Sequence, residues 1–150
     1  MSFIDIRGLS HKFNIKDKDG NKIGENWAIK DVDFLADRGE MIAILGRNGS
    51  GKSTFARHLN GLLAPHGGSI VIGGKDLAST DNLMAVRRQV GMVFQNPDNQ
   101  IVGNTLAEDI GFGLENLGMP CSDIWNKIDE MLEAAHKQNI IREDLMLLWG

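Results

Sequence analysis

The chain has 150 residues, of which 42% are hydrophobic and 24% are charged, and this composition is typical of a globular domain large enough to bury a core. Its 16 basic and 20 acidic side chains give a formal net charge of −4, so charge gives no reason to expect nucleic-acid binding. The one cysteine, Cys121, cannot form an internal disulfide and fits a reducing compartment. We find neither a signal-peptide pattern nor an apolar run long enough to cross a bilayer, so a membrane role would act through a partner.

The first forty residues are predicted to form strands. Apolar and polar residues alternate in FIDIRGL, from Phe3, and in WAIKDVDFLA, from Trp27. The apolar run MIAILG, from Met41, does not alternate and is typical of a strand buried on both faces. SIVIGG, from Ser69, and VGMVFQ, from Val90, are predicted as further strands.

Helices are predicted after the glycine-rich loop, over NLMAVRRQ, and in two segments that follow Thr105. The first has apolar residues three to four positions apart, at Phe55, Leu59 and Leu62. The last, SDIWNKIDEMLEAAHKQN, carries an apolar stripe that includes Trp125. We interpret this stripe as core or subunit contact, which needs no ligand to explain it.

The segment LGRNGSGKST, residues 45–54, carries the pattern G-x-x-x-x-G-K-[ST] between a strand pattern and a helix pattern. Glycines let the backbone curl so that its N–H groups converge on phosphate oxygens, and the following helix directs the positive end of its dipole at the same anion. Lys52 can reach the β- and γ-phosphates, and the Ser53 hydroxyl can coordinate Mg²⁺. The pattern therefore predicts a nucleoside triphosphate site. The residues predicted to bind the nucleotide in this segment are Gly46, Asn48, Gly49, Ser50, Gly51, Lys52, Ser53 and Thr54.

Over residues 1–146 the sequence closely resembles the ATP-binding subunits of ABC transporters. The resemblance rests on GRNGSGKST, LNGLLAPHGGSIVIGGKDL and RRQVGMVFQNP, in that order and spacing. FQNPDNQIVGNTLAEDIGFGLENLGMP is similar to the energy-coupling-factor branch, which imports vitamins and transition-metal ions. The resemblance implies one α/β domain of the P-loop ABC ATPase fold in three parts. These are an antiparallel β part over residues 1–40, a parallel-sheet core with the P-loop over residues 41–95, and a Q-loop with a helical subdomain over residues 96–150.

Two more site residues follow from the resemblance. Gln95 stands where the family has its Q-loop glutamine, which implies an amide oxygen for Mg²⁺ or the attacking water and a link to a transmembrane partner. Phe13, in LSHKF, stands where the family has an aromatic residue, usually tyrosine, that stacks on the adenine of ATP. A lone phenylalanine on an alternating strand is also typical of a core, so both interpretations of Phe13 stay open. Lys52 and Gln95 are thus the predicted catalytic residues, and Ser53 and Gln95 the predicted metal ligands.

Three other motifs of the family do not occur in the 150 residues. There is no LSGGQ-type motif, and the apolar run LMLLWG ends in Trp149 and Gly150 where the family has Asp-Glu. None of the four histidines stands in the position of the family's switch histidine, and none has the paired spacing of a zinc site. The resemblance therefore implies the N-terminal portion of an ABC ATPase, incomplete at its C-terminus, that binds ATP but does not hydrolyse it alone.

The first functional hypothesis is the ATPase subunit of an energy-coupling-factor importer. It implies a homo- or heterodimer with a second ATPase subunit, and a transmembrane coupling subunit that contacts the region Gln95–Asn104. It also implies a cytoplasmic protein, peripheral on the inner face of the cell membrane and attached through its partner. The alternatives are a nucleotide-binding fragment without hydrolysis, and a P-loop protein of another class, such as a nucleotide kinase or a DNA-repair relative. The acidic balance and the absence of an Arg-rich lid segment argue against the last.

Overall fold

The structure, a computed structural model, describes residues 2–94 and 100–134. It divides into two units, one that ends at Met92 and one that begins at Val93. The first unit contains β1 (Ile4–Lys16), β2 (Lys22–Ala36), α1 (Lys52–Leu59), β3 (Gly67–Ile72), β4 (Lys75–Asp76) and α2 (Thr80–Arg87), and the second contains α3 (Leu106–Asn116) and α4 (Cys121–Ala134).

The first unit is built on a four-stranded sheet in the order β2-β1-β3-β4, and every neighbouring pair is antiparallel. The alternation of FIDIRGL and WAIKDVDFLA therefore does form strands, and SIVIGG forms most of β3. The pairing of β1 with β2 shifts register after Ile6, where Gly8 has a φ of 59°. The Gly8 N–H donates to the Asp33 carboxylate over 2.7 Å, so a side chain of β2 accepts this backbone bond at the irregularity.

The core of the first unit joins the sheet to both of its helices. Phe55 of α1 is buried, and its ring meets that of Phe34 edge-on, with 5.2 Å between the centroids. Burying an aliphatic or aromatic side chain of this size stabilises the fold by roughly 1.5–3 kcal/mol. The core therefore fixes α1, and with it the end of the glycine-rich loop, against the sheet. Its buried members are Ile6, Leu9, Ile29, Phe55, Ile70, Ile72 and Val86.

Two predicted strands are not formed. Residues 41–46 and 90–94 have no strand pairing within the part of the chain that the structure describes. The side chain of Met41 is 100% exposed and that of Leu45 is 90% exposed. A strand buried on both faces needs hydrogen-bonded neighbours and a covering layer, and the observed sheet pairs with neither segment. The antiparallel part and the helices of the predicted fold are thus present, and the parallel core is absent from these residues.

The second unit is a pair of helices, α3 and α4, as predicted after Thr105. Ile124, Ile128 and Leu132 of α4 are buried, which agrees with the apolar stripe, but Trp125 is 63% exposed and does not belong to the core. The predicted continuation of α4 beyond Ala134 lies outside the described residues. Among the helices that the structure describes, none has the length and apolar character that crossing a membrane requires.

Side chains fix the start of α3. The Thr105 hydroxyl accepts a hydrogen bond from the Glu108 backbone N–H over 3.2 Å, and the Glu108 carboxylate accepts one from the Asn104 N–H over 2.9 Å. The order Thr-x-x-Glu thus resembles a capping box, except that Glu108 accepts from the residue before the N-cap and not from Thr105 itself. The Asp109 carboxylate also accepts a bond from the Val102 N–H over 2.7 Å. The segment 102–104 is therefore tied to the first turn of the helix.

Candidate functional site

The glycine-rich loop leads directly into α1, which begins at Lys52. Gly51 is the N-cap residue with a φ of 93° and, as a glycine, supplies no side-chain cap. The Ser50 N–H donates to the Arg47 carbonyl over 3.1 Å, and the Phe55 N–H donates to the Gly51 carbonyl over 2.8 Å. A helix that starts without a side-chain cap offers its first N–H groups, and the positive end of its dipole, to an anion.

Lys52 folds its side chain back onto the loop. Its Nζ donates to the carbonyl oxygens of Gly46 and Arg47, over 2.7 Å and 2.9 Å. One ammonium group thus joins the first residues of the loop to the first residue of the helix. The arrangement places a cation beside the free N–H groups of the helix, where it can neutralise a phosphate.

Two glycines of the motif leave no free space for a side chain, and one of them, Gly51, also has a left-handed φ of 93°. A Cβ at Gly46 would lie 2.7 Å from the Ser50 hydroxyl oxygen. A Cβ at Gly51 would overlap the carbonyl oxygen of Ala28, a residue that the register of β1 and β2 skips. The spacing of glycines in the motif therefore reflects close contacts within the loop and between the loop and β2.

The predicted metal ligand Ser53 is the second residue of α1, and its side chain is exposed. A hydroxyl at this position fits Mg²⁺, which accepts one or two protein oxygens and takes its remaining ligands from phosphates and water. Within residues 2–94 and 100–134, no three His, Cys, Asp or Glu side chains are grouped so that they could hold a metal ion.

Phe13 lies near the end of β1 opposite Asn26 of β2, and its side chain is 42% exposed. Its ring meets the edge of His11, with 4.6 Å between the centroids. Phe13 is not among the buried residues of the core, which favours the interpretation as a ring that is open to a ligand.

Gln95, the predicted Q-loop glutamine, lies outside the described residues, as do residues 96–99. The residues that flank this segment are joined by a side chain that the sequence analysis did not single out. Gln100 accepts a hydrogen bond from the Phe94 N–H over 3.3 Å and donates one to the Phe94 carbonyl over 3.1 Å. Both bonds from one amide hold Phe94 and Gln100 together.

The structure also groups three histidines that the sequence gives no reason to associate. The His11 ring lies with centroid distances of 4.8 Å from His58 and 4.7 Å from His66. His11 is on β1, His58 is on α1, and His66 immediately precedes β3. Their positions along the chain have no metal-site spacing, so only the fold reveals the cluster.

A model of the ABC transporter family matches residues 29–146, which include the loop, α1 and both helices of the second unit. The chain belongs to the ABC transporter family. One similar solved structure is that of cbiO1 from Clostridium perfringens, part of the ABC transporter complex cbiONQ. It matches 95% of this chain with 30% identity and a TM-score of 0.75. An ATP-binding cassette dimer in a post-hydrolysis state, bound to ADP and Pi, matches with the same TM-score at 23% identity and supports the fold alone.

Curated relatives carry a more specific name. The energy-coupling factor transporter ATP-binding protein EcfA1 of Enterococcus faecalis is 44% identical over 139 residues, which are 93% of this chain and 48% of that protein. The protein of the same name from Listeria monocytogenes is 50% identical over 138 residues, 92% of this chain and 46% of its own length. The chain therefore spans about half the length of the curated relatives that it matches. The resemblance to the energy-coupling-factor branch stated from the sequence is confirmed.

Proposed function

We propose that this chain is the nucleotide-binding portion of the ATPase subunit of an energy-coupling-factor importer, and that it binds MgATP at residues 46–54. The observation that carries the proposal is the geometry of Lys52. Its ammonium is held by the Gly46 and Arg47 carbonyls beside a helix start without a side-chain cap. A cation next to free backbone donors is the arrangement that binding of a nucleoside triphosphate requires.

Each part of the site has a separate task in this proposal. The N–H groups of residues 48–54 donate hydrogen bonds to the phosphate oxygens, Lys52 neutralises the β- and γ-phosphates, and Phe13 stacks on adenine. Ser53, with Gln95, would hold Mg²⁺, which supplies charge neutralisation at the β- and γ-oxygens when bound. The partly exposed ring of Phe13 and the exposed hydroxyl of Ser53 support these assignments.

The activity of the whole protein is part of the proposal. Relatives named as energy-coupling factor ATP-binding proteins are about twice as long as the matched region. In such a protein two ATPase subunits would pair, water would attack the γ-phosphate in line, and a transmembrane subunit would contact the region Gln95–Asn104. That subunit would hold the ATPase on the inner face of the membrane. The 150 residues contain no LSGGQ-type motif and no Asp-Glu pair at the end of an apolar run, so we expect this chain to hold ATP without turnover.

Calorimetry with MgATP tests the proposal directly, with phosphate release followed in parallel. We expect the wild-type chain to bind and Lys52→Ala to lose binding, because the ammonium that neutralises the phosphates is gone. Lys18→Ala is the matched control, since it removes the same charge from an exposed turn between β1 and β2. Equal affinities for wild type and Lys52→Ala would refute the nucleotide site. Steady phosphate release by the wild-type chain above that of Lys52→Ala would refute binding without turnover.

A further inference from the structure

His11 of β1 and His58 of α1 form a buried hydrogen-bonded pair. The His11 Nδ1 and the His58 Nε2 lie 3.1 Å apart, although the residues are separated by 47 positions in the sequence. His58 has no exposed surface, and His11 is only 5% exposed. The bond is therefore shielded from solvent and joins the sheet to the helix that follows the phosphate-binding loop.

The neighbouring carbonyl groups determine where the protons of the pair lie. The His58 Nδ1 is 2.7 Å from the Thr54 carbonyl oxygen, and the His11 Nδ1 is 3.2 Å from the Ala64 carbonyl oxygen. Because a carbonyl oxygen only accepts, each Nδ1 must carry a proton. The His58 Nε2 is then left without one and accepts from the His11 Nδ1–H. A second proton, on the His58 Nε2, would set two N–H groups against each other, so this arrangement, with both Nδ1 protons on carbonyl oxygens, exists only while His58 is neutral. A proton on the His11 Nε2 would leave the bond in place.

The pair contacts both regions that the proposed function assigns to ATP. On one side, the His11 ring supports Phe13, with 4.6 Å between the ring centroids. On the other side, His58 holds the carbonyl of Thr54, which directly follows Ser53 in the first turn of α1. The adenine-binding ring and the phosphate-binding helix are thus connected through one hydrogen bond between two imidazoles.

We propose that His11 and His58 are positioning residues for the nucleotide, and that their hydrogen bond, which requires a neutral His58, holds Phe13 and the start of α1 in the geometry that binds ATP. The inference rests on the proposed function. Protonation of His58 would break this bond and release both regions, so the affinity for MgATP would fall in acid.

The surroundings of the two rings favour the neutral form. Burial, as the main cause, lowers the pKa of both His11 and His58 below the usual 6.5, the carbonyl bonds to Ala64 and Thr54 oppose this, and the neighbouring histidines lower the pKa further. His66 is the third titratable group that faces the pair, and the partner of His11 across β2 is the apolar Ile29. The Lys12 ammonium is bonded to Glu25 instead. Among the described residues, no carboxylate hydrogen-bonds either ring to stabilise its charged form.

The first test is the dissociation constant of MgATP between pH 7.5 and pH 5.5, for the wild-type chain, His58→Gln and His66→Gln. Glutamine at position 58 offers an oxygen to His11 and cannot be protonated. We expect the wild-type and His66→Gln dissociation constants to rise below pH 6.5, by at most about tenfold per pH unit for one linked proton. We expect a flatter profile for His58→Gln, because glutamine does not titrate. Any protonation of ATP itself affects all three proteins equally.

A second measurement needs no substitution and covers the case in which His58→Gln does not fold. In the wild-type chain, NMR titration of the imidazole rings should show that saturating MgATP lowers the pKa of His58 further. An unchanged His58 pKa, or a His58→Gln profile as steep as that of wild type, would overturn this inference while leaving MgATP binding intact. Absence of MgATP binding at pH 7.5 would instead overturn the proposed function, and this inference with it.

Discussion

The carbonyl oxygen of Ala28 on β2 occupies the space that a side chain at Gly51 would need. Gly51 is the residue that precedes the helix of the phosphate-binding loop, and its φ of 93° lies in the left-handed region that favours glycine. The loop is therefore built against the sheet at a contact between two backbones. Any side chain at position 51 has to move one of them.

We expect Gly51→Ala to destabilise the first unit and to abolish MgATP binding. Gly20→Ala is the matched control, because Gly20 has a similar φ of 87° but nothing within 4 Å of its added Cβ. In the control, the free energy of unfolding should fall only by the cost of the left-handed conformation, about 1–2 kcal/mol. In Gly51→Ala, the free energy of unfolding should fall by a further ~1–3 kcal/mol because of the overlap with Ala28. Urea denaturation measures both, and equal losses would show that the Ala28 contact relaxes freely.

Substitutions of Phe13 separate a stacking role from a packing role. Phe13→Leu keeps the apolar volume and removes the ring, whereas Phe13→Tyr keeps the ring. If the ring stacks on adenine, Phe13→Leu should weaken MgATP binding about 5- to 150-fold, the equivalent of ~1–3 kcal/mol, and Phe13→Tyr should bind like wild type. Calorimetry with tripolyphosphate, which lacks a base, should give the same affinity for all three proteins. An undiminished MgATP affinity in Phe13→Leu would exclude the adenine contact.

The Thr105 N-cap of α3 gives a prediction for the second unit. Thr105→Ala removes the hydroxyl that accepts the bond from the Glu108 N–H, and should destabilise α3 by about 1 kcal/mol. Thr105→Ser retains the hydroxyl and should keep most of this stability. Amide hydrogen exchange in α3 measures the effect locally. Faster exchange in both variants alike would mean that the methyl group of Thr105, and not its hydroxyl, stabilises the helix.

Glu25 contributes stability that depends on pH in the acid range. Its carboxylate accepts hydrogen bonds from Lys12 and Lys22, over 2.7 Å and 2.5 Å, and these partners, Lys12 first, lower its pKa from 4.5 to about 2. Because the pKa is lower in the folded state, the contribution is complete above pH 4.5 and is lost as the pH falls towards 2. Urea denaturation should show Glu25→Gln as less stable than wild type at pH 6, with a difference that shrinks in acid and in high salt.

Glu133→Gln controls for the prediction about Glu25. Glu133 lies near the end of α4 and is exposed. The same substitution there removes a carboxylate that takes no part in the bonds of Lys12 and Lys22 to Glu25. Its effect on stability should be small at every pH. A stability difference for Glu25→Gln that stays constant from pH 6 to pH 2.5 would contradict the role assigned to the ionised carboxylate.

Local determinants were predictable from the sequence. The motif that ends in Lys52 and Ser53 predicts where a helix starts, and α1 starts there because the glycines and the helix start are adjacent in the chain. Thr105 and Glu108 likewise specify the start of α3 through residues three apart. The period of two in the first forty residues predicts strands that each bury one face, as β1 and β2 do.

Features that depend on distant partners were not predictable in this way. The apolar run from Met41 has the composition of a buried strand, but its conformation depends on neighbours that it does not find in the observed sheet. Trp125 matches the period of its helix, yet it lies at the margin of the stripe and stays exposed. The bond between His11 and His58 crosses 47 positions, and no local pattern encodes it.

The hydrogen bonds of Lys52 to Gly46 and Arg47 have a consequence for how a ligand would enter the site. The ammonium already has two hydrogen-bond acceptors within the chain, the loop carbonyls of Gly46 and Arg47. On the proposed function, binding exchanges acceptors around one cation, from carbonyl oxygen to phosphate oxygen. The ordering of the loop is then largely complete beforehand, so less of the interaction energy is spent on it. Lys52→Ala consequently removes both the proposed ligand contact and the bonds that hold the loop carbonyls to the start of α1.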